Sequence, residues 1–211
     1  MSILSEEEIR AGLLDFYQNI DLVRKKAKFT NRETEAVYAR NAMVDFLLDN
    51  LTDDSTVVDM MSGELIVPLA VLFLQKEDTR LHALKTVYAV DDNNMSGLYL
   101  MEKHIEHFGM QDQVVQIRMS VNDPSLVERI GELTEHGLVD ATTVIDGSRY
   151  PVKESFFDNL AKISPVNLTV QWSFIPIHYK QQLAKRFDLE QGTVKGHVQV
   201  NDIQWINALV K

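Results

Sequence analysis

The stretch Thr56-Val57-Val58-Asp59-Met60-Met61-Ser62-Gly63-Glu64 decides how the rest of this chain is read. A β-branched apolar run ends in an acid, passes through a glycine-containing loop and leads to a helix that tolerates Pro68 in its first turn, the pattern of a buried strand feeding a crossover helix. Working outward, Thr86 to Val90 is a second strand. The helix after it runs on Met95, Leu98, Met101, Ile105 and Phe108 and is closed by Gly109. Gln113 to Met119 is a third strand, and Asp123-Pro124 opens a third helix ending near Gly137. Thr142 to Ile145, a helix over Glu154 to Ile163, and Asn167 to Phe174 complete five strand units. Strands alternating with helices at this spacing make a parallel sheet covered on both faces.

The character of each strand predicts its place. Val57-Val58, Val87 to Val90 and Val144-Ile145 are continuous apolar runs suited to the middle of the sheet. The third strand alternates Val115, Ile117 and Met119 with Gln116 and Arg118, which suits an edge. After a helix over Tyr179 to Phe187, the runs Val194 to Val200 and Ile203 to Val210 are separated only by Asn201-Asp202, so they are expected to pair as an antiparallel hairpin. Upstream, Ser5 with Glu8 and Thr30 with Glu33 are capping boxes that open two N-terminal helices. The second of these lays Ala36, Ala39, Met43, Phe46 and Leu47 on one face. The expected organisation is a helical cap or lid over residues 1–52 and an α/β core over 53–211, together one compact unit.

Composition narrows the function. The formal charge of −10 and a pI near 5.0 oppose tight binding to a phosphate backbone, so nucleic acid is not the expected partner. The one basic run, Arg24, Lys25, Lys26 and Lys28, reads as a solvated helix end. With no cysteine, thiolate nucleophiles, disulfides and cysteine-ligated zinc are excluded. The acidic N-terminus does not resemble a signal peptide, and the longest apolar stretch, Leu65 to Leu74, is broken by Pro68 and falls short of the ~20 residues of a membrane span. A cytoplasmic protein is expected, and a homodimer is compatible with the sequence.

In an open α/β sheet, ligands sit at the carboxyl ends of the central strands, where the strand order reverses. The residues there are Asp59 to Glu64 after the first strand, Asp91 to Asn94 after the second, Ser120 to Asp123 after the third and Asp146 to Tyr150 after the fourth. Val57 to Glu64 resembles the first motif of class I S-adenosylmethionine-dependent methyltransferases, a strand ending in an acid before a glycine-rich turn. Val87-Tyr88-Ala89-Val90-Asp91 resembles the second, whose terminal acid holds the cofactor's ribose hydroxyls. The resemblance covers residues 54 to 211 in order of elements. It implies a Rossmann-like, seven-stranded, mostly parallel sheet with a C-terminal antiparallel hairpin, and S-adenosylmethionine as cofactor. It also implies a cofactor site drawn from Asp59, Met61, Ser62, Gly63, Glu64, Asp91, Asp92, Asn93, Ser120 and Val121. Gly63 lets the backbone approach the ligand, and Asp59 acts by ordering loop amides or by reaching the cofactor's amino group.

The chain departs from the family at several points. Met61 and Leu65 stand where further glycines are usual, and Ser120 stands where an acid usually bonds the adenine amino group, a place Asp123 or Asn122 can fill. Asp146-Gly147-Ser148-Arg149-Tyr150-Pro151 does not match the Asn/Asp-Pro-Pro-Tyr/Phe motif of enzymes that methylate base or glutamine amides. Asp146 as base and Tyr150 as acceptor-orienting group are the catalytic candidates. His104 and His107, beside Glu102 and Glu106, lack a metalloenzyme spacing and read as a solvated helix face, so no metal is expected. His178 follows the fifth strand, near the cleft. The loop lacks the Gly-x-Gly-x-x-Gly spacing of dinucleotide binders, and neither a phosphate loop nor a nucleophile elbow is present. Two functions follow: a methyltransferase acting on a small molecule, or a methyltransferase-like scaffold without catalysis.

Overall fold

A computed structural model describes residues 55–63, 84–92, 102–103, 105–106, 109–134, 139–145, 150–172, 174–194 and 203–211. The strands are β1 (Ser55–Met60), β2 (Leu84–Val90), β3 (Val114–Ile117), β4 (Ala141–Ile145), β5 (Val166–Trp172), β6 (Phe187–Val194) and β7 (Ile203–Val210). They form one sheet in the order β3-β2-β1-β4-β5-β7-β6. β1 to β5 run parallel, and β7 inserts antiparallel between β5 and β6. The apolar β1, β2 and β4 lie inside the sheet and the alternating β3 lies at an edge, as their residues require.

Three helices, α1 (Leu126–Leu133), α2 (Glu154–Ile163) and α3 (Ile177–Ala184), belong to one core with the sheet residues Val58, Met60, Tyr88, Val90, Ile117, Val144, Ile206 and Ala208. α2 supplies Phe156, Phe157, Leu160 and Ile163, a stripe at helical spacing, and Phe157 meets Tyr179 of α3 edge-on with ring centroids 5.1 Å apart. The Tyr179 hydroxyl is not left bare in this apolar setting. It pairs with Thr169 Oγ1 at 3.2 Å, in a buried chain that continues through Asn167 to Thr142.

Three expectations need correction. The sixth strand is Phe187–Val194 rather than Val194 to Val200, and the helix before it ends at Ala184 rather than Phe187. Asp188, Glu190 and Gln191 disguise this strand as helix surface, but it is an edge strand. Phe187 turns into the core while the polar residues stay exposed. The antiparallel pairing with β7 holds, with Val194 opposite Ile203 and Phe187 opposite Val210. The third helix begins at Leu126, later than Asp123-Pro124, because the Asp123 carboxylate instead accepts the Ser125 amide and hydroxyl at 2.9 and 2.7 Å. The two N-terminal helices, the helix carrying Pro68, residues 195–200, and His104 and His107 lie outside the described residues. Glu106, on the helix expected after β2, forms an ion pair with Lys103 at 2.7 Å. Among the described residues no cluster of three metal-ligating side chains occurs, and no helix is long and apolar enough to cross a membrane.

Candidate functional site at the carboxyl ends of β1 and β2

β1 has β2 on one side and β4 on the other, so the strand order reverses at its carboxyl end. The chain leaves β1 through a tight loop in which two residues take left-handed backbone, Met61 at φ 58° and Gly63 at φ 51°. Glycine accepts this freely. Methionine does not, and Met61 meets the cost while its half-buried side chain packs on the core.

The loop is stitched to β2. The Ser62 amide and hydroxyl donate to the Val90 carbonyl at 3.1 and 3.3 Å, and the Gly63 amide donates to Asp91 Oδ2 at 2.7 Å. Asp91 itself is buried, and its amide donates to the Ile117 carbonyl at 3.1 Å, joining the ends of β2 and β3. Asp92, next along, is exposed.

Asp59 stands one residue before the end of β1 and is 1% exposed. Thr143 lies opposite it in register on β4, and its hydroxyl donates to Asp59 Oδ1 at 2.6 Å. Burial pushes the Asp59 carboxyl up to about 7; the Thr143 hydrogen bond opposes the rise and the nearby Asp91 carboxylate adds to it. The loop amide at Gly63 is thus ordered by Asp91, while Asp59 is engaged with β4. Thr143 escaped the sequence reading because a threonine inside an apolar strand carries no signal until its register partner is known.

The loop after β3 is fixed from α2. Asn159 Nδ2 donates to the Val121 and Asp123 carbonyls at 3.0 and 2.8 Å, and Asn122 Oδ1 accepts the Lys153 amide at 2.7 Å. Ser120 is half-buried, its Oγ receiving the Asn122 amide at 3.4 Å, and Val121 is buried. Asn159 could have been found: it interrupts the apolar stripe Phe156, Leu160, Ile163 of an amphipathic helix, where an amide needs partners. Tyr150 is 62% exposed beyond β4, and His178 is exposed at the start of α3. Asp146, Glu64 and Asn93 lie outside the described residues.

No protein-family model and no curated protein sequence matches this chain. Solved structures do. A precorrin-6y C5,15-methyltransferase from Geobacter metallireducens GS-15 aligns over 88% of this chain and 95% of its own, with a TM-score of 0.59 at 14% identity. An rRNA methylase from Streptococcus thermophilus aligns over 86% and 100%, with a TM-score of 0.56 at 11% identity. TrmK from M. capricolum, in complex with its natural cofactor product S-adenosylhomocysteine, aligns over 80% and 68%, with a TM-score of 0.53 at 12% identity. With a strand order that reverses at β1 and an antiparallel β7 between β5 and β6, this chain has the fold of the class I S-adenosylmethionine-dependent methyltransferases.

Proposed function

We propose that this protein is an S-adenosylmethionine-dependent methyltransferase acting on a small-molecule acceptor. The observation that carries the reading is the 2.7 Å bond from the Gly63 amide to Asp91 Oδ2, which makes the turn after β1 and the acid after β2 one unit at the point where the strand order reverses. Among the described residues, a Cβ added at Gly63 would meet one atom within 4 Å, the Met61 carbonyl oxygen at 4.0 Å. Asp91 would take the ribose hydroxyls. Met61, Ser62, Gly63, Glu64, Asp92, Asn93, Ser120 and Val121 would line the site, with Asp59 beneath it.

Bound S-adenosylmethionine supplies a methyl group on a sulfonium, which any well-placed nucleophile can accept. The protein's part is placement. Asp146 would receive the proton of an acceptor that carries one, and Tyr150 would orient that acceptor. The net charge of −10 supports a small acceptor over nucleic acid.

Calorimetric titration with S-adenosylmethionine and S-adenosylhomocysteine tests the reading. Dissociation constants in the micromolar range, lost in Asp91→Ala while its melting profile stays cooperative, are the expected result. Absence of binding to either compound by the unaltered protein would overturn it in favour of the non-catalytic scaffold.

A further inference from the structure

The turn Ser120 to Asp123 lies past Ile117, the last residue of β3 that pairs with β2, so the sheet's ladder does not hold it. It closes on itself through the Asp123 amide, which donates to the Ser120 carbonyl at 3.0 Å. Its next three carbonyls are all taken by α2. Asn159 Nδ2 donates to those of Val121 and Asp123 at 3.0 and 2.8 Å, and Ser155 Oγ to that of Asn122 at 2.8 Å. Ser155 and Asn159 are four residues apart, hence on one face of the helix, and the Lys153 amide at its start adds the bond to Asn122 Oδ1.

Asn159 stands three residues after Phe156 and four before Ile163, a place where the stripe of α2 calls for an apolar side chain. It is 2% exposed, and an amide taken that far out of water is costly unless its hydrogens are bonded. Both are bonded, to carbonyls two residues apart in the turn. That geometry needs two hydrogens on one atom, which neither an apolar side chain nor a carboxylate supplies. The turn also adjoins Asp91, whose amide donates to the Ile117 carbonyl at 3.1 Å. A nucleoside whose ribose is held at Asp91 therefore brings its base to Ser120 and Val121.

We propose that Asn159 is a positioning residue for the cofactor, acting through the Ser120–Asp123 turn, which it fixes in the form that receives the nucleobase. This rests on the methyltransferase reading above and adds to it a determinant on α2, the helix between β4 and β5. The bonds are made without ligand, so the turn is ordered before binding. Without them, binding must order the turn and affinity falls by that conformational cost.

The test is calorimetric titration of the full chain with S-adenosylhomocysteine, for the unaltered protein, Asn159→Leu, Ser155→Ala and Tyr179→Phe. Melting profiles and NMR amide exchange of the unliganded proteins accompany it. Asn159→Leu should weaken binding roughly tenfold to a hundredfold and Ser155→Ala about twofold to tenfold, both with faster exchange at the Asp123 amide. Tyr179→Phe, which breaks the bond to Thr169, should lower the melting midpoint and leave binding unchanged, so it measures what lost stability does alone. Ser155 is half-buried, and its alanine variant decides the matter if Asn159→Leu does not fold. Unchanged affinity in the α2 variants would overturn the positioning role and leave the cofactor reading standing. So would equal weakening by Tyr179→Phe, or weaker binding with unchanged exchange at Asp123. No binding by the unaltered protein would instead overturn the cofactor reading, and the role of Asn159 with it.

Discussion

Met61 and Asp59 carry opposite kinds of cost at the same turn. Met61 holds a left-handed backbone that a side chain opposes, and a β-branched residue opposes it more. Met61→Val is therefore expected to lower stability by about 1–3 kcal/mol in urea denaturation, and by more than Met61→Gly, which loses more packing but relieves the backbone. The opposite ranking would mean that packing, not backbone conformation, governs the position. Asp59 carries the cost of a carboxylate out of water. Its carboxyl, near 7 in the folded protein against an ordinary 3.8, makes the folded state hold a proton that the unfolded chain releases. That contribution is complete below about pH 4 and is lost as pH rises through about 7. Asp59→Asn removes the ionisable group, so its stability relative to the unaltered protein should rise between about pH 5 and about pH 8, compared by denaturation at the two values. A difference independent of pH would show that Asp59 does not titrate in this range.

At the scale of elements, β6 and β7 meet with no room to spare. A Cβ at Gly192 would come within 2.5 Å of Trp205 Cζ2, so the indole of β7 lies directly against the glycine of β6. Gly192→Ala should cost about 1–3 kcal/mol by thermal melting, and less in a Trp205→Leu background, because the ring that must move is then gone. This contact also explains what the sequence concealed. β1, β2 and β4 announce themselves because strands buried on both faces need unbroken apolar runs, and α2 because its stripe has helical period. β6 places only short apolar stretches, Phe187 and Leu189 against the core and Val194 at its end, and it has a glycine where a large residue would be expected. Its identity depends on a tryptophan more than ten residues further along. The site divides the same way. Asp91 and Gly63 follow from lying at strand ends, whereas the Asp59–Thr143 bond depends on cross-sheet register, which no local pattern contains.

Over the whole molecule, 31 acidic against 21 basic side chains leave a net charge of −10 that the compact state must hold together. The exposed ion pairs Lys103–Glu106 and Arg129–Glu132 relieve this only locally and contribute little. Screening of the excess charge should raise the thermal midpoint as sodium chloride is increased toward ~0.2 M, where the Debye length has shortened to below ~8 Å. A midpoint that falls over this range would indicate that attractive pairs outweigh the net repulsion.

The position of β7 has a consequence for how the chain is made. It follows β6 in the sequence but sits between β5 and β6 in the sheet, so β6 has no strand to pair with when it is synthesised. On a ribosome adding about 5–20 residues per second, the sixteen residues added after Val194, up to Val210, leave β6 waiting for roughly one to three seconds. During that interval β5 presents a bare edge to its surroundings. Asp188 and Glu190 on the waiting strand are exposed like charges, which disfavour its pairing with the same strand of a neighbouring nascent copy.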